Sequence, residues 1–328
     1  MELLTLNHSS YPRIGGSPDE QMLRRTIAQR DRGEKTDADV RAAEDRLVSL
    51  ALQDQHEAGI DVPTDGLIRW NDPVSHLAGK LKGTRINGLL RYFDTNFYFR
   101  QPVVCGKIER PHPLVVNEFE WAAQRSARPV KPVLTGPYTL TRLSLGHGDP
   151  GNSDALLMSY AEALASEVRD LAAAGARLIQ VDEPALLTHP ADLPLAREAL
   201  ALLAAHKGRA ELALATYFGD AAPLYPALQV LPFDALVLDF TYSPTLPQLI
   251  ETDGSIKALG FGLLDGRNTR LEDQASVADQ LERMLTRVKP ERNYLTTSCG
   301  LEYLPRDRAR LKLSHLTSIK KSLLGEAA

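Results

Sequence analysis

The stretch Gly175-Ala-Arg-Leu-Ile-Gln-Val-Asp-Glu-Pro-Ala185 indicates most directly how this chain folds. Its first glycine tolerates the left-handed conformation that ends helices, and the apolar run after it is typical of a strand buried on both faces of a parallel sheet. Asp182 and Glu183 stand at the carboxyl end of this strand, before a proline that prevents further strand pairing. Buried carboxylates are costly to desolvate, so each needs a partner or a chemical role. One acid alone is commonly a helix cap, but two acids followed by proline favour a functional site.

The composition narrows the class of protein. Hydrophobic residues make up 43% of the 328 residues and charged residues 24%, which is typical of a soluble enzyme. The net charge of −4 gives no reason to expect a nucleic-acid partner. Cys105 and Cys299 are the two cysteines, so there is no disulfide framework and a reducing compartment is favoured. With no signal-peptide pattern and no apolar run near the ~20 residues that span a bilayer, we expect a cytoplasmic protein without a membrane partner.

Short apolar segments alternate with helical patterns along the chain. About eight segments that combine a strand with its following turn are predicted, at 3–6, 59–64, 132–138, 178–183, 211–220, 235–239, 259–268 and 294–300. This alternation is typical of right-handed βαβ units and a parallel sheet. A doubly wound open sheet would usually carry a glycine-rich phosphate loop, but neither GxGxxG nor a Walker-type loop occurs. We therefore predict an α/β fold, a TIM-type (β/α)8 barrel that forms one domain over residues 1–328.

Two regions lie outside the eight barrel units. Extra helices are expected near the amino terminus, one beginning near Pro18 with Ser17 as its cap and one over residues 36–57. Near 84–115, the segment Arg91–Arg100 alternates aromatic and polar residues, which predicts a β insertion. A barrel of this type needs only ~250 residues, so the chain has room for these additions. The insertion is long enough to lie across the mouth of the barrel.

The carboxyl ends of the strands converge on the active site in barrels of this type. Polar residues at these ends form the first set of candidates: His8, Asp65, Tyr138, Asp182, Glu183, Tyr217, Asp220, Asp239, Asp265, Arg267, Asn268 and Cys299. Each has a structural alternative, such as a helix cap for Asp220 or a small buried filler for Cys299. Their shared position favours function for the group, with Asp182, Glu183 and Asp65 as candidate catalytic acids.

Cys299 is the thiol at a strand end, and two chemical roles are open for it. It is a candidate thiolate ligand for a metal or a candidate nucleophile, and a nucleophile normally needs a histidine base. His8 is the histidine at a strand end. Other histidines lie in loops or at helix ends, with no zinc-site spacing: His112, His147, His189 and His206. The spacing alone therefore predicts no complete zinc site.

Eight motifs distributed over most of the chain resemble those of cobalamin-independent methionine synthase. They are Tyr11–Gly15, Thr64–Gly66, Phe93–Asn96, Thr135–Tyr138, Ile179–Ala185, Thr216–Asp220, Asp265–Asn268 and Ser298–Glu302, in the expected order. Full-length members of that family carry two related barrels, whereas this chain is similar to the short, single-barrel core versions. The resemblance implies a methyltransferase that acts on the thiol of homocysteine and forms methionine.

The resemblance also implies roles for individual residues. Asp182 matches the acid that holds the amino group of homocysteine. The loop that holds its carboxylate matches Ile14, Gly15 and Gly16. Further substrate-binding candidates are Tyr138, Asn96, Tyr217, Asp265 and Asn268. The implied methyl donor is methyl-tetrahydrofolate or a methyl-corrinoid carrier protein.

Zinc is the part of the resemblance that this sequence reproduces least completely. Cys299 and Asp239 match two ligands of a zinc ion that would activate the substrate as a thiolate. The family places a His-x-Cys pair where this chain has Leu214-Ala-Thr216, and Leu67 stands where a second amine-binding glutamate is expected. Catalytic zinc usually has three protein ligands. The alternatives are a zinc-less barrel that binds folate or a methyl carrier beside a separate zinc-bearing chain, and a metal-free lyase or transferase.

Overall fold

This computed structural model describes residues 2–146 and 153–325, and within those ranges the chain forms nine strands. They are β1 (Glu2–Thr5), β2 (Lys82–Arg91), β3 (Tyr98–Glu109), β4 (Val133–Thr135), β5 (Leu178–Asp182), β6 (Glu211–Thr216), β7 (Ala235–Asp239), β8 (Ala258–Leu264) and β9 (Arg292–Thr297). Apart from β2 and β3, the strands form one parallel sheet.

Helices separate most of the strands. They are α1 (Met22–Asp31), α2 (Asp37–Glu57), α3 (Ser75–Ala78), α4 (Val116–Ala123), α5 (Pro137–Leu143), α6 (Ser153–Ala173), α7 (Ala185–Thr188), α8 (Leu193–Ala205), α9 (Tyr225–Leu228), α10 (Leu246–Asp253), α11 (Gln274–Leu285) and α12 (Arg306–Leu324). In the part of the chain that the structure describes, none of them is long and apolar enough to cross a membrane.

The parallel sheet has the order β1-β9-β8-β7-β6-β5-β4. Residues 60–64 bond to both of its ends: Leu6 and Val62 form a parallel bridge, and the amide of Lys131 donates to the carbonyl of Pro63 over 2.8 Å. A bridge forms here rather than the full strand predicted at 59–64, because Pro63 has no amide hydrogen for a ladder. The predicted TIM-type (β/α)8 barrel is confirmed, with residues 60–64 in place of a regular second strand.

The barrel has two apolar layers because side chains alternate along each strand. Ala213 and Ala215 of β6 lie in the barrel interior with side chains of the neighbouring strands. Leu212 and Leu214 of the same strand join the larger core between the strands and the helices. This alternation decides which side chains at the carboxyl end of a strand face the barrel mouth.

β2 and β3 form an antiparallel hairpin, so the predicted β insertion is confirmed, with strands over 82–109. The hairpin tip reaches the carboxyl ends of the barrel strands at two points. The hydroxyl of Tyr92 lies 3.3 Å from that of Tyr217, which follows β6. The guanidinium of Arg267, which follows β8, donates to the carbonyl of Asp94 over 3.0 Å. The tip therefore covers part of the barrel mouth.

Helix α1 begins at Met22 and not near Pro18, where the sequence pattern predicts its start. Ser17 and Glu20 instead close the turn before it. The amide of Glu20 donates to Ser17 Oγ over 3.2 Å, and the amide of Ser17 donates to the Glu20 carboxylate over 2.9 Å. This is the reciprocal bonding of a capping box, displaced from the helix by one turn of chain.

Arg306 is a charged side chain that α12 carries into the interior, where it is 2% exposed. Its guanidinium donates to Asp54 of α2 over 2.9 Å and to the carbonyl of Pro12 over 3.2 Å, and it lies 3.5 Å from the Glu20 carboxylate. An uncompensated buried charge costs several kcal/mol. This cluster therefore ties the last helix to the amino-terminal helices only while all its members are present.

Replacing Arg306 by methionine is expected to destabilise the fold by about 3 kcal/mol, because Asp54 and Glu20 lose their buried counter-charge and keep only the partly exposed Arg310. Urea unfolding followed by circular dichroism measures the change in the free energy of unfolding. Arg308→Met is the matched control, since Arg308 lies on the same helix with its side chain 51% exposed. An equal loss in the two variants would contradict the assignment.

Candidate active site

Asp182 ends β5 inside the barrel, with 5% of its surface exposed. One carboxylate oxygen accepts a hydrogen bond from Gln180 Nε2 at 2.7 Å, and the other accepts from the Tyr217 hydroxyl at 3.1 Å. Burial raises the pKa of Asp182 to about 6, and both hydrogen bonds oppose this rise because they favour the charged form. At neutral pH the site presents a carboxylate in a nearly dry environment, where its attraction for a cation is strong.

A narrow cavity lies beside Asp182 at the barrel mouth. Its polar lining comes from Ser9, Ser10, Asp182, Tyr217, Cys299 and Glu302, and its aromatic lining comes from Trp70, Tyr92, Phe218 and Tyr303. The polar groups are contributed by the ends of β1, β5, β6 and β9. We call this space the inner cavity.

The loop after β1 brings Ser9 and Ser10 to the inner cavity. A Cβ atom at Gly300 would collide with the Ser10 hydroxyl and lie 2.8 Å from Ser9 Oγ, so glycine allows the two loops to meet. The amide of Leu301 also donates to the carbonyl of Ser10 over 2.9 Å. Within the described ranges, the amides of Ser9 and Ser10 donate no hydrogen bond of their own. Two backbone donors are thus free to bind an anionic group.

His8 precedes these serines and is 1% exposed. Its Nδ1 lies 3.0 Å from Ser9 Oγ, and its ring packs edge-on against Tyr217 with ring centroids 5.2 Å apart. Burial and the nearby Lys131 ammonium hold the pKa of His8 well below its usual value. His8 is therefore neutral at physiological pH and orients Ser9, and it does not line the inner cavity. His147 lies outside the described residues.

Glu183 follows Asp182 but turns to the other face of the strand, as alternation requires. Its carboxylate accepts hydrogen bonds from the amides of Tyr138 and Thr139, at 2.9 and 2.7 Å, and from the Thr139 hydroxyl at 2.7 Å. Burial raises the pKa of Glu183 to about 7. Both oxygens are occupied by the first turn of α5, and the side chain does not line the inner cavity. The structure therefore gives this predicted catalytic acid a structural task.

Asp65 and Tyr138 also lie away from the inner cavity. Asp65 accepts the amide of Leu67 at 2.9 Å and lines a separate crevice against α4, where burial raises its pKa to about 6. Tyr138 donates its hydroxyl to Asp192 at 2.5 Å instead of turning toward Asp182. The fold brings neither residue to the amine-binding candidate.

Three predicted substrate-binding residues stabilise turns at the rim of the barrel. Asn96 accepts a hydrogen bond from an arginine of its own hairpin at 3.1 Å. Asp265 and Asn268 each accept the amide of the second residue after them, at 2.8 and 3.0 Å. Asn96 and Asn268 are exposed, and none of the three lines the inner cavity.

Ile14, Gly15 and Gly16 lie further along the loop after β1, on its outer side. Ile14 is 48% exposed and lines a second, open cavity of about 400 Å³ together with Arg13, Arg24 and Phe97. We call this space the outer cavity. The segment predicted to hold the substrate carboxylate is therefore not beside Asp182. Ser9 and Ser10 occupy that place instead.

The residues that match zinc ligands do not form a metal site. One oxygen of Asp239 accepts from the amide and hydroxyl of Thr241, at 2.8 and 2.6 Å, and the other accepts the Phe218 amide at 3.2 Å. Cys299 is buried, and burial with the Asp239 charge raises the pKa of its thiol well above the usual value. In the described ranges, no group of three or more His, Cys, Asp or Glu residues could hold a metal ion. The donor set present does not fit zinc.

The strand β6 does not supply the missing ligands in either register. Leu214 faces the helices, whereas Ala215 and Tyr217 face the interior of the barrel. A His-x-Cys pair that faced the mouth would therefore need positions 215 and 217, one residue later than the sequence motif indicates. A methyl group and a phenol do not replace imidazole and thiolate as zinc ligands. Tyr217 instead donates its hydroxyl to Asp182.

Glu302 is a site residue that the pattern of strand ends misses. It lies in the short turn after β9 and lines both the inner and the outer cavity. Burial raises the pKa of Glu302 to about 7. The motif Ser298–Glu302 contains it, but only the folded chain places it between two cavities. Arg267, already among the strand-end candidates, lies 5.3 Å over the Phe218 ring and holds the hairpin tip.

Comparison with known proteins agrees with this architecture. Residues 11–322 match the family model described as "Cobalamin-independent synthase, Catalytic domain". A methionine synthase from Saccharolobus solfataricus is 33% identical over 305 residues, which cover 92% of this chain and 90% of that protein. One from Sulfurisphaera tokodaii is 34% identical over 308 residues, covering 92% of this chain and 89% of that protein.

A solved structure shares the fold. A B12-independent methionine synthase from a Shewanella species, solved in complex with selenomethionine, superposes with a TM-score of 0.80 over 99% of this chain and 100% of that chain, at 22% identity. The sequence matches confirm the predicted family and the predicted methyltransferase activity toward homocysteine. With a family model that spans residues 11–322 and relatives more than 30% identical over most of both chains, this protein belongs to the family of cobalamin-independent methionine synthases.

Proposed function

We propose that the inner cavity binds the amino-acid end of homocysteine while a methyl group is transferred to its thiol. The observation that carries this proposal is one buried carboxylate in a cavity that is also lined by Ser9 and Ser10, whose backbone amides donate no hydrogen bond within the described ranges. An amino acid presents an ammonium and a carboxylate on one carbon, so it needs an acceptor and donors at short range from each other. Asp182 supplies the acceptor, and Ser9 and Ser10 supply the donors.

The aromatic lining supports this assignment. Phe218 packs edge-on against Tyr217 at 4.7 Å and against Tyr92 at 6.3 Å between ring centroids, which joins the hairpin to the end of β6. These rings keep water from Asp182, and an ion pair formed there is correspondingly strong. They also give the methylene groups of homocysteine an apolar surface.

Glu302 is the proposed acceptor of the thiol proton. Its pKa of about 7 suits a base that works near neutral pH, and it stands where the inner and outer cavities meet. The sulfur then forms a bond to the methyl carbon while the bond from that carbon to the donor nitrogen breaks, and the donor nitrogen takes up one proton, which balances the thiol proton that Glu302 accepts and returns. No step is assigned to zinc, because the residues present do not fit it.

The proposed methyl donor is methyl-tetrahydrofolate. The family description "cobalamin-independent" favours it over a methyl-corrinoid protein. The outer cavity of about 400 Å³ combines the guanidinium groups of Arg13 and Arg24 with the ring of Phe97 and aliphatic side chains. Such a surface suits a flat, anionic molecule.

A small-molecule reaction in the cytoplasm is part of the same proposal. Both cysteines are free, as expected for a protein that works in a reducing compartment. The outer cavity, at about 400 Å³, has the size of a small-molecule site, so the proposal requires neither a nucleic acid nor a membrane, and no zinc-bearing second chain.

Asp182→Asn is expected to raise the KM for homocysteine roughly 10- to 100-fold, because the neutral amide loses a charge-assisted hydrogen bond that contributes ~1.5–3 kcal/mol. Methionine formation from homocysteine, assayed with methyl-tetrahydrofolate and separately with a methyl-corrinoid protein, measures this. Asp220→Asn is the matched control, since Asp220 is an exposed carboxylate after β6. Failure of the wild type with both donors would contradict the proposed function, and an equal KM in both variants would contradict the role of Asp182.

Metal content provides an independent prediction. Dialysed protein is expected to hold far less than a full equivalent of zinc, because Asp239 is occupied by its own turn and Cys299 has no further ligand beside it within the described ranges. Mass spectrometry of the metal measures this, with Cys299→Ser as the test variant and the exposed Cys105→Ser as its control. A full equivalent of zinc that disappears only in Cys299→Ser would show that the site assembles after all.

A further inference from the structure

Lys131 is a lysine held inside the barrel, just before β4, with 1% of its surface exposed. Its ammonium donates to the carbonyl of His8 over 2.7 Å and to Gln180 Oε1. Gln180 stands between this ammonium and Asp182, whose charge acts on Lys131 without a direct hydrogen bond within the described ranges. A buried ammonium costs several kcal/mol unless partners compensate it. Because an apolar residue would avoid this cost, we expect the positive charge of Lys131 to have a function.

Gln180 links this ammonium to Asp182. It stands two residues before Asp182 on β5, so both side chains lie on the same face of the strand. Lysine only donates hydrogen bonds, and therefore the Gln180 oxygen must face Lys131 and its NH2 group must face the carboxylate. Gln180 Nε2 donates to Asp182 Oδ1 at 2.7 Å. Lys131 thus decides the orientation of the amide that holds Asp182.

The connection continues beyond Asp182 to the hairpin. Asp182 Oδ2 accepts the Tyr217 hydroxyl at 3.1 Å, and that hydroxyl lies 3.3 Å from the hydroxyl of Tyr92. One polar chain therefore runs from Lys131, deep in the barrel, through Gln180, Asp182 and Tyr217 to the hairpin tip. Each oxygen of Asp182 is held by one donor.

We infer that Lys131 is a positioning residue for the amino-acid substrate: acting through Gln180, it orients the Asp182 carboxylate and keeps it ionised for the substrate ammonium. The inference rests on the proposed function, since it concerns the same carboxylate. Lys131 does not line the inner cavity and touches no substrate atom.

The charges of the two groups depend on each other. Burial lowers the pKa of Lys131 to about 7, and the Asp182 charge opposes this fall. Burial raises the pKa of Asp182 to about 6, opposed by the Gln180 hydrogen bond and by the Lys131 charge. Without the lysine cation, the pKa of Asp182 rises further, and the carboxylate takes up a proton at a higher pH. As the pH is lowered, affinity for a cationic amine is therefore lost earlier than in the wild type.

Other titratable groups surround this pair from several elements. They are His8 from the loop after β1, Asp65 and Glu118 from the crevice at α4, Tyr92 from the hairpin, Glu183 beside Asp182, Tyr217 after β6 and Glu302 after β9. Glu183 keeps its bonds to α5 in every variant below, and the two tyrosines stay neutral because burial raises the pKa of both. Lys131→Met removes the cation together with its bond to the His8 carbonyl, whereas Gln180→Met removes the bridge and keeps that bond.

The test is the pH dependence of methionine binding by calorimetry, between pH 5.5 and 8.5, for wild type, Lys131→Met and Gln180→Met. Wild-type affinity is expected to fall below a pH of about 6. In Lys131→Met the decline in affinity is expected to begin about one pH unit higher. Binding of methionine should then be about tenfold weaker near pH 6.5 and little changed at pH 8.5. Gln180→Met, which keeps the cation but loses the bridge, is expected to move the decline up by less. Lys289→Met is the control, because Lys289 is exposed and far from the site.

The outcomes separate the hypotheses. A Lys131→Met variant that loses affinity equally at every pH, with the acid side unmoved, would mean a structural role and would overturn the inference. If circular dichroism shows that Lys131→Met does not fold, Gln180→Met decides, and an unmoved acid side in that variant overturns the inference as well. A wild type that binds no methionine at any pH overturns the proposed function itself, whereas wild-type binding with unshifted variants overturns this inference alone.

Discussion

Charge held away from water inside the barrel is the constraint on which the rest of the site depends. Each buried ion costs several kcal/mol unless partners remain at short range. The register of β4 and β5 provides them, because Val133 lies opposite Gln180 and Thr135 opposite Asp182. The chain before β4 therefore runs beside β5 and brings Lys131 to Gln180. The cation offsets the charge of Asp182 through a neutral amide, so the carboxylate is stabilised without being consumed by a direct ion pair.

The alternation of side chains along β5 explains why two adjacent acids have different tasks. Asp182 turns into the barrel, where Gln180 and Tyr217 hold it and the inner cavity lies beside it. Glu183 turns outward and binds the first turn of α5. A carboxylate that binds helix amides fixes the position of that helix, and hence of the loop that leads into it. The same strand end thus supplies both a carboxylate that lines the inner cavity and an anchor for the helix next to it.

Much of the fold follows from local patterns in the sequence, and much of the site does not. Apolar runs that end in polar residues predict the parallel strands and their converging ends, and β5 is the clearest case. The period-two alternation of a strand is by itself enough to place Asp182 and Glu183 on opposite faces. Such patterns do not reveal the contacts of Lys131, because its partners, His8 and Gln180, are distant along the chain. The sequence analysis assigns the binding of the substrate carboxylate to Ile14 and its neighbours for a similar reason. Ser9 and Ile14 belong to the same polar loop, and only the contact with Gly300 shows that the serines are the residues at the inner cavity.

The end of β6 holds Asp182 and, within the described ranges, contributes to no metal site. Position 217 faces the barrel interior and carries a phenol that donates to Asp182. Ala215, which also faces the interior, offers no donor atom at all. This side of the barrel supports the Asp182 carboxylate and packs against the hairpin. Under the proposed function, the proton of the thiol goes to Glu302, which stands between the inner and outer cavities with a pKa of about 7. A barrel that keeps the substrate end while changing the metal end is therefore consistent with one reaction carried out by a different set of side chains.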